Sequence, residues 1–339
     1  MSLPVIQPGG AATSGTLLSL DSIPALQDEV RALARARDAV ILAHNYQLPE
    51  VQEVADYVGD SLGLSRQAAA VAQRTIVFCG VHFMAESASI LSPEKTVLLP
   101  DLDAGCSLAD SITAAQLREW KSRHPGALAV MYVNTSAEVK AETDFCVTSA
   151  NAVGVVEHIY REYGRDQEIL FGPDMFLGSY VEKMTGRPMR VWDGECHVHA
   201  GIRPDDVTRA RAAHPGADFL IHPECGCSTS VMEYVAAGDV DAEGVHMLST
   251  GGMLDYAGRA EAGTTAIVAT ETGMLHPLRQ AAPEVDFVAA NEAASCRYMK
   301  MITLPKLRDT LRDGRPEVRV PEEIAARARL PIERMVAIS

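Results

Sequence analysis

The stretch V-I-L-A-H-N-Y-Q-L-P-E-V-Q-E-V-A-D-Y-V-G-D-S-L-G-L-S-R-Q-A-A-A-V-A-Q-R-T-I-V-F, Val40–Phe78, sets the reading of the whole chain. It opens with an aliphatic run, Val40–Ala43, passes a polar tip at Ala43–Tyr46, and continues with helical spacing over Glu50–Gln73. A second β-branched run follows at Ile76–Phe78. Working outward, the same unit recurs. Strands are expected at Thr96–Leu99, Ala127–Val133, Phe145–Thr148, Ile169–Phe171, Arg190–Trp192, Ala217–Ile221, Val245–Leu248, Ala266–Ala269 and Asp286–Val288. Helices are expected between most of them, among them Thr113–Arg123, Asn151–Tyr163 and Pro204–Ala213. Such alternation means an α/β protein with parallel sheets covered by helices.

Three cysteines, Cys106, Cys196 and Cys296, recur at near-regular intervals, each just beyond an apolar run and each in a polar, small-residue context. Cys79 and Cys146 instead lie inside apolar runs and read as core. One loop thiol per third of the chain favours three α/β domains, expected over 21–124, 125–215 and 216–339, the last carrying the C-terminal helices. Residues 1–20, rich in Gly, Ala, Ser and Thr, read as a disordered leader. A helix is expected from Asp21, capped by Asp21 or Ser22, with Pro24 in its first turn. If the three loops converge, they offer three thiolates to one metal centre and leave a further position open.

The 339 residues are 47% hydrophobic and carry a net charge of −15, with a sequence pI near 5.1. Basic residues are scattered, so no footprint for a nucleic-acid backbone is present. No apolar run reaches membrane-spanning length, and the first twenty residues lack the pattern of a signal peptide. A cytoplasmic protein with reduced thiols is expected, with neither nucleic acid nor membrane as partner. No phosphate-loop or dinucleotide fingerprint occurs. The S-T-G-G and T-E-T-G turns are weak candidates for anion binding at helix N-termini. His222, Cys225 and Cys227 in H-P-E-C-G-C could form a zinc knuckle, although Cys-x-Cys is an unusual ligand spacing. The pair could equally be inert or form a reversible disulfide. A zinc or iron lyase or hydrolase using His222, Glu224 and His199 also fits the residue types, as does a cluster-bearing redox sensor.

Longer strings narrow these options. A-H-N-Y-Q-x-P-E-V-Q-E-x-A-D-x-x-G-D-S-L, F-M-A-E, Y-V-N-T-S-A-E-x-K-A, T-S-A-N-A, F-G-P-D, H-P-E-C and S-T-G run in order from Ile41 to Leu304. Together they resemble the quinolinate synthase family of bacterial NAD biosynthesis. The resemblance implies three α/β/α sandwich domains about a pseudo-threefold axis, with the active site where they meet. It implies a [4Fe–4S] cluster on Cys106, Cys196 and Cys296 whose fourth iron is open to substrate. The implied reaction condenses iminoaspartate with dihydroxyacetone phosphate, and the implied macromolecular partner is a transient one, the enzyme that supplies iminoaspartate. Glu224 matches the general acid/base carboxylate, with Tyr46, Tyr132 and His222 beside it as catalytic groups. His44, Ser61, Asn134, Ser149, His199 and Thr250 match positions that bind the substrate's anionic groups, and Phe83 and Met84 are expected to line the pocket. Some family members carry two extra redox-active cysteines near the third ligand; here those positions are Ala290 and Ala293.

Overall fold

The computed structural model describes residues 20–237 and 243–338. The expected leader, apart from its last residue, lies outside the described residues. Twelve strands are present among them: β1 Ala39–His44, β2 Tyr57–Gly59, β3 Thr75–Cys79, β4 Thr96–Leu98, β5 Leu128–Tyr132, β6 Phe145–Val147, β7 Ile169–Gly172, β8 Arg190–Val191, β9 Asp218–Ile221, β10 Val245–Met247, β11 Thr265–Ala269 and β12 Asp286–Ala289. They form three four-stranded parallel sheets with one shared topology, β2-β1-β3-β4, β6-β5-β7-β8 and β10-β9-β11-β12. Helices interleave with the strands throughout. The protein is therefore the three-layer α/β type expected, built three times over. The central strands are buried along almost their whole length, as strands covered on both faces must be.

Register makes the repetition quantitative. Ala43 pairs with Val58 and with Cys79, Met131 with Cys146 and with Gly172, and Ile221 with Met247 and with Ala269. Counting from these pairs, His44, Tyr132 and His222 are equivalent at the tips of the first strands. So are Tyr46, Asn134 and Glu224 two residues on.

All eleven expected strands occur; β2 was hidden. Val51, Val54, Val58 and Leu62 fall at helical spacing, so Glu50–Gln73 read as one helix. The chain instead makes a short helix Pro49–Gln52, then β2, then a helix Ser61–Ala70 capped by Asp60, whose carboxylate accepts from Gly63 N at 2.7 Å. As an edge strand, β2 exposes Tyr57 and Val58 and leaves no alternating apolar signal. The first helix runs Ile23–Ala36 with Ser22 at its N-cap position and Pro24 in the first turn, as expected, but Ser22 makes no side-chain capping bond.

The C-terminal helices do not stay with the third sheet. Leu304–Asp313 packs on the helix Ile23–Ala36, and Glu322–Ala337 packs on β6 and on the helices Ala137–Lys140 and His82–Leu91. Arg334 Nη1 donates to Asp144 O at 2.6 Å and Asn151 Nδ2 to Met335 O at 2.9 Å, while Arg329 Nε donates to Ile90 O at 3.2 Å, clamping the final helix across the second and first units. Its apolar face, Ala325, Ala328, Ile332 and Met335, is buried there. Amphipathic periodicity announces that a helix needs a partner; it does not say which partner.

Candidate active site

Parallel sheets gather functional side chains at the carboxyl ends of their strands. Here the tips of all three sheets line one cavity of about 70 Å³. Every site residue expected from sequence lines it: His44, Tyr46, Ser61, Cys106, Tyr132, Asn134, Ser149, Cys196, His199, His222, Glu224, Thr250 and Cys296. Phe83 and Met84 supply apolar wall. The second-strand tips repeat as well, since Ser61, Ser149 and Thr250 stand at equivalent register and each offers a hydroxyl. Ser61 and Thr250 open helices, and Ser149 shortly precedes one.

The cysteine loops repeat in backbone detail. His82 N donates to Ala104 O, Met175 N to Gly194 O and Thr272 N to Ala294 O, each at 2.8 Å and each two residues before a cysteine. A short helical turn follows every thiol: Ala109–Ser111, His197–Ala200 and Met299–Met301. Two amides of that turn face each sulfur, from Leu108 and Ala109, Val198 and His199, and Tyr298 and Met299, and favour its thiolate form. Burial acts the other way and dominates, pushing the Cys106 thiol up to about 12 and raising Cys196 and Cys296 too. Gly194 has a steric reason to be glycine: a Cβ there would lie 2.5 Å from the Pro173 carbonyl oxygen.

Glu224, 2% exposed, accepts a hydrogen bond from the Tyr132 hydroxyl. Burial, and then the nearby Asp174 carboxylate, raise its proton affinity well above the ordinary carboxylate range. The histidines go the other way. Burial lowers His44 to about 3, His199 to about 4 and His222 well below its ordinary value, leaving three neutral rings. His199 and His222 stack with centroids 4.9 Å apart. His222 Nε2 shares a hydrogen bond with Ser149 Oγ at 3.1 Å, and Tyr46 OH bonds both Thr270 and His199. Asn134 Oδ1 and His199 Nδ1 are buried and have no hydrogen-bond partner among the described residues. Unsatisfied buried polar atoms mark the cavity as a place where a ligand supplies the missing partners.

Sequence reasoning missed the groups behind this wall. Glu271, in the T-E-T-G turn read only as a weak anion site, accepts from Cys296 N at 2.9 Å and Gly273 N at 2.7 Å. It pairs with Lys300 Nζ at 3.0 Å, and Lys300 also donates to the Tyr46 carbonyl. Lys140, fully buried, donates to Thr135 O and so braces the tip that carries Tyr132 and Asn134. Each was visible as a charge beside a recognised motif, but its partner was remote in sequence.

Cys225 and Cys227 are joined in a disulfide, Cα atoms 5.2 Å apart and both side chains buried. Neither is left as a ligand, and His222 faces Ser149 and the cavity instead, so the zinc-knuckle alternative is not what the chain forms. Of the alternatives left open for this pair the structure has the disulfide, against the general expectation of reduced thiols, because the tight turn after His222 brings the two side chains within bonding reach.

The comparisons with known proteins agree with the geometry. A family model described as "Quinolinate synthetase A protein" matches residues 28–337. A quinolinate synthase of Mycobacterium sp. (strain KMS) is 60% identical over 311 residues, 91% of each chain. Those of Mycobacterium tuberculosis (strain ATCC 25618 / H37Rv) and Mycolicibacterium paratuberculosis (strain ATCC BAA-968 / K-10) are 58% identical over 311 residues, covering 91% of this chain and 88% of theirs. Three equivalent cysteine loops around a cavity of buried acid, tyrosines and neutral histidines, carried by a sequence this close to theirs, make the chain a member of the quinolinate synthase family.

Proposed function

We propose that the protein condenses iminoaspartate with dihydroxyacetone phosphate to quinolinate, releasing phosphate and two waters, with a [4Fe–4S] cluster held by Cys106, Cys196 and Cys296. The observation that carries the reading is the equivalence of the three cysteine loops, each aiming two amides at a thiol that lines the same cavity. Three sulfur donors from three separate loops fit an iron–sulfur centre, and amide contacts to sulfur suit its ligands. When bound, such a cluster supplies a Lewis-acidic iron that three protein thiolates leave open to a substrate hydroxyl or carboxylate.

The remaining chemistry falls to side chains. Glu224 holds a proton in the buried cavity and exchanges it with the reacting carbon skeleton; its Oε1 is kept in place by Tyr132. The Tyr46 hydroxyl, oriented by Thr270 and His199, stands ready for a second proton transfer. Ser61, Ser149 and Thr250 hold the carboxylates and the phosphate with hydroxyls set near helix starts, and His44, Asn134, His199 and His222 add donors without adding charge. Phe83 and Met84 keep water from the imine.

The same reading divides the chain at about residues 124 and 215, with the C-terminal helices packed back on the earlier units, and places the protein in the cytoplasm. Among the described residues no helix is long and apolar enough to cross a membrane. The test is anaerobic purification, iron and sulfide analysis, and a quinolinate assay with the two substrates. About four irons and four sulfides per chain and quinolinate formation are expected, with iron lost in Cys106→Ser. Quinolinate made without iron would sink the cluster; a fully loaded protein that makes none would sink the reaction.

A further inference from the structure

Within the cavity one trio of donors does not coincide with the three cysteines. Cys196, His199 and Glu224 each offer one ligand atom, and these atoms lie within 4.8 Å of one another; no other such trio of His, Cys, Asp or Glu stands among the described residues. We propose that the cluster-free protein binds one divalent cation of the zinc type through the Cys196 thiolate, His199 Nδ1 and the Glu224 carboxylate.

Local structure prepares the site. Cys196 caps the turn His197–Ala200, so His199, three residues on, rises from the same face of that turn. His199 is 4% exposed, and its Nε2 is hydrogen-bonded to Thr270 Oγ1 at 3.0 Å and to Tyr46 OH at 3.2 Å. Those hydroxyls occupy Nε2 and can accept its proton, so Nδ1, which has no hydrogen-bond partner among the described residues and stands 3.5 Å from Glu224 Oε2, is the ring nitrogen open to a metal. A metal-bound histidine typically has its second nitrogen held by a polar group in this way. Glu224 is similarly divided, with Oε1 engaged by Tyr132 and Oε2 turned toward His199. Thiolate, imidazole and carboxylate are all ordinary zinc ligands. Metal–ligand bonds of about 2.0–2.3 Å bring tetrahedral donors to roughly 3.5 Å apart, so the trio must close by about 1 Å. That lies within the reach of small χ rotations. Three protein donors leave one position for water or for a ligand's carboxylate.

Cys196 belongs both to this trio and to the proposed cluster, so the ion and the cluster exclude each other. That exclusion rests on the function proposed above; the ion site does not.

The experiment uses the full chain, stripped of metal by chelation under anaerobic conditions. It is titrated with Zn²⁺ by calorimetry and with Co²⁺ by absorption spectroscopy. One ion per chain is expected, and the Co²⁺ protein should show the charge-transfer intensity of a single thiolate. Cys196→Ser and His199→Ala should each weaken Zn²⁺ binding by more than the ~10–100-fold that supporting residues are worth. Cys106→Ser, Cys296→Ser and the Cys225→Ser, Cys227→Ser double variant should bind within about 3-fold of the parent. The inference is overturned by absence of stoichiometric uptake, by full affinity in His199→Ala, or by equal loss in Cys106→Ser. Should the variants fail to fold, the Co²⁺ spectrum of the unsubstituted protein decides, since a three-thiolate or thiolate-free spectrum is fatal. A protein that binds Zn²⁺ as expected but never assembles a cluster would retain this site and reject the cluster reading. A Zn²⁺-loaded protein that assembles the cluster as fast as the stripped one would refute the exclusion.

Discussion

Asp174 and Glu271 occupy the same place in two different sheets. Each stands two residues beyond the paired end of its central strand, at the register where the first sheet has Val81. Both are buried, and both meet the backbone amide of their unit's loop cysteine, Cys196 or Cys296. Glu271 has a cation at 3.0 Å, because Lys300 follows Cys296 by four residues. The equivalent residue after Cys196 is Ala200, and burial lifts the Asp174 carboxyl to about 7. One backbone scaffold thus carries an ion pair in one unit, a carboxyl of raised proton affinity in another and a hydrocarbon in the third. Backbone repetition positions groups; the side chain four residues past the thiol decides their charge.

The first-strand tips pose the same comparison most sharply, with Tyr46, Asn134 and Glu224 at one register. Of these only Glu224 is a carboxylic acid, so Glu224→Gln should lower kcat by about 10²–10⁴-fold while iron content stays unchanged. A variant that keeps parental turnover would remove Glu224 from the chemistry.

Lys300→Met leaves the buried Glu271 carboxylate without its cation and should cost about 3–5 kcal/mol in denaturant unfolding. The double variant with Glu271→Gln should recover much of that loss. Equal destabilisation of single and double variants would mean that the pair is not coupled.

Gly194→Ala tests the cysteine loops, because the equivalent positions are already alanine at 104 and 294. The close Pro173 carbonyl predicts a loss of about 1–3 kcal/mol. An unchanged melting temperature would show that the loop relaxes freely.

The smallest effect is expected for Asp174→Asn measured near pH 4, within about 1 kcal/mol, since Asn can still cap the helix at Leu177. Its pH dependence is the telling part. The wild-type carboxyl keeps its proton up to about 7 in the fold but loses it near 3.8 when unfolded, so this group's stabilisation declines as pH rises between those values. The variant should therefore gain on the wild type across that interval, and a pH-independent difference would contradict the raised proton affinity.

Much of this architecture was legible in the chain. The β-branched runs located eleven strands, and the polar residues just beyond them named the cavity wall. The exception, β2, is a three-residue edge strand with exposed side chains, and such strands leave no period in the sequence. The long strings from His44 to Thr250 supplied most of the expected lining residues, and the spacing of Cys106, Cys196 and Cys296 supplied the thiols. The pairings of Asp174, Glu271 and Lys300 escaped, as did the final helix's place against the first two units, because each depends on a neighbour supplied by another part of the chain.

The sequence by itself determined where eleven of the twelve strands lie and the chemistry at their tips, since hydrophobic period and turn residues are local properties and parallel crossovers send all tips of a sheet to one edge. Only the tertiary structure decided which tips meet. Tyr132 finds Glu224 and Lys300 finds Tyr46 through the packing of three sheets against one another, and that packing is set by surfaces remote along the chain.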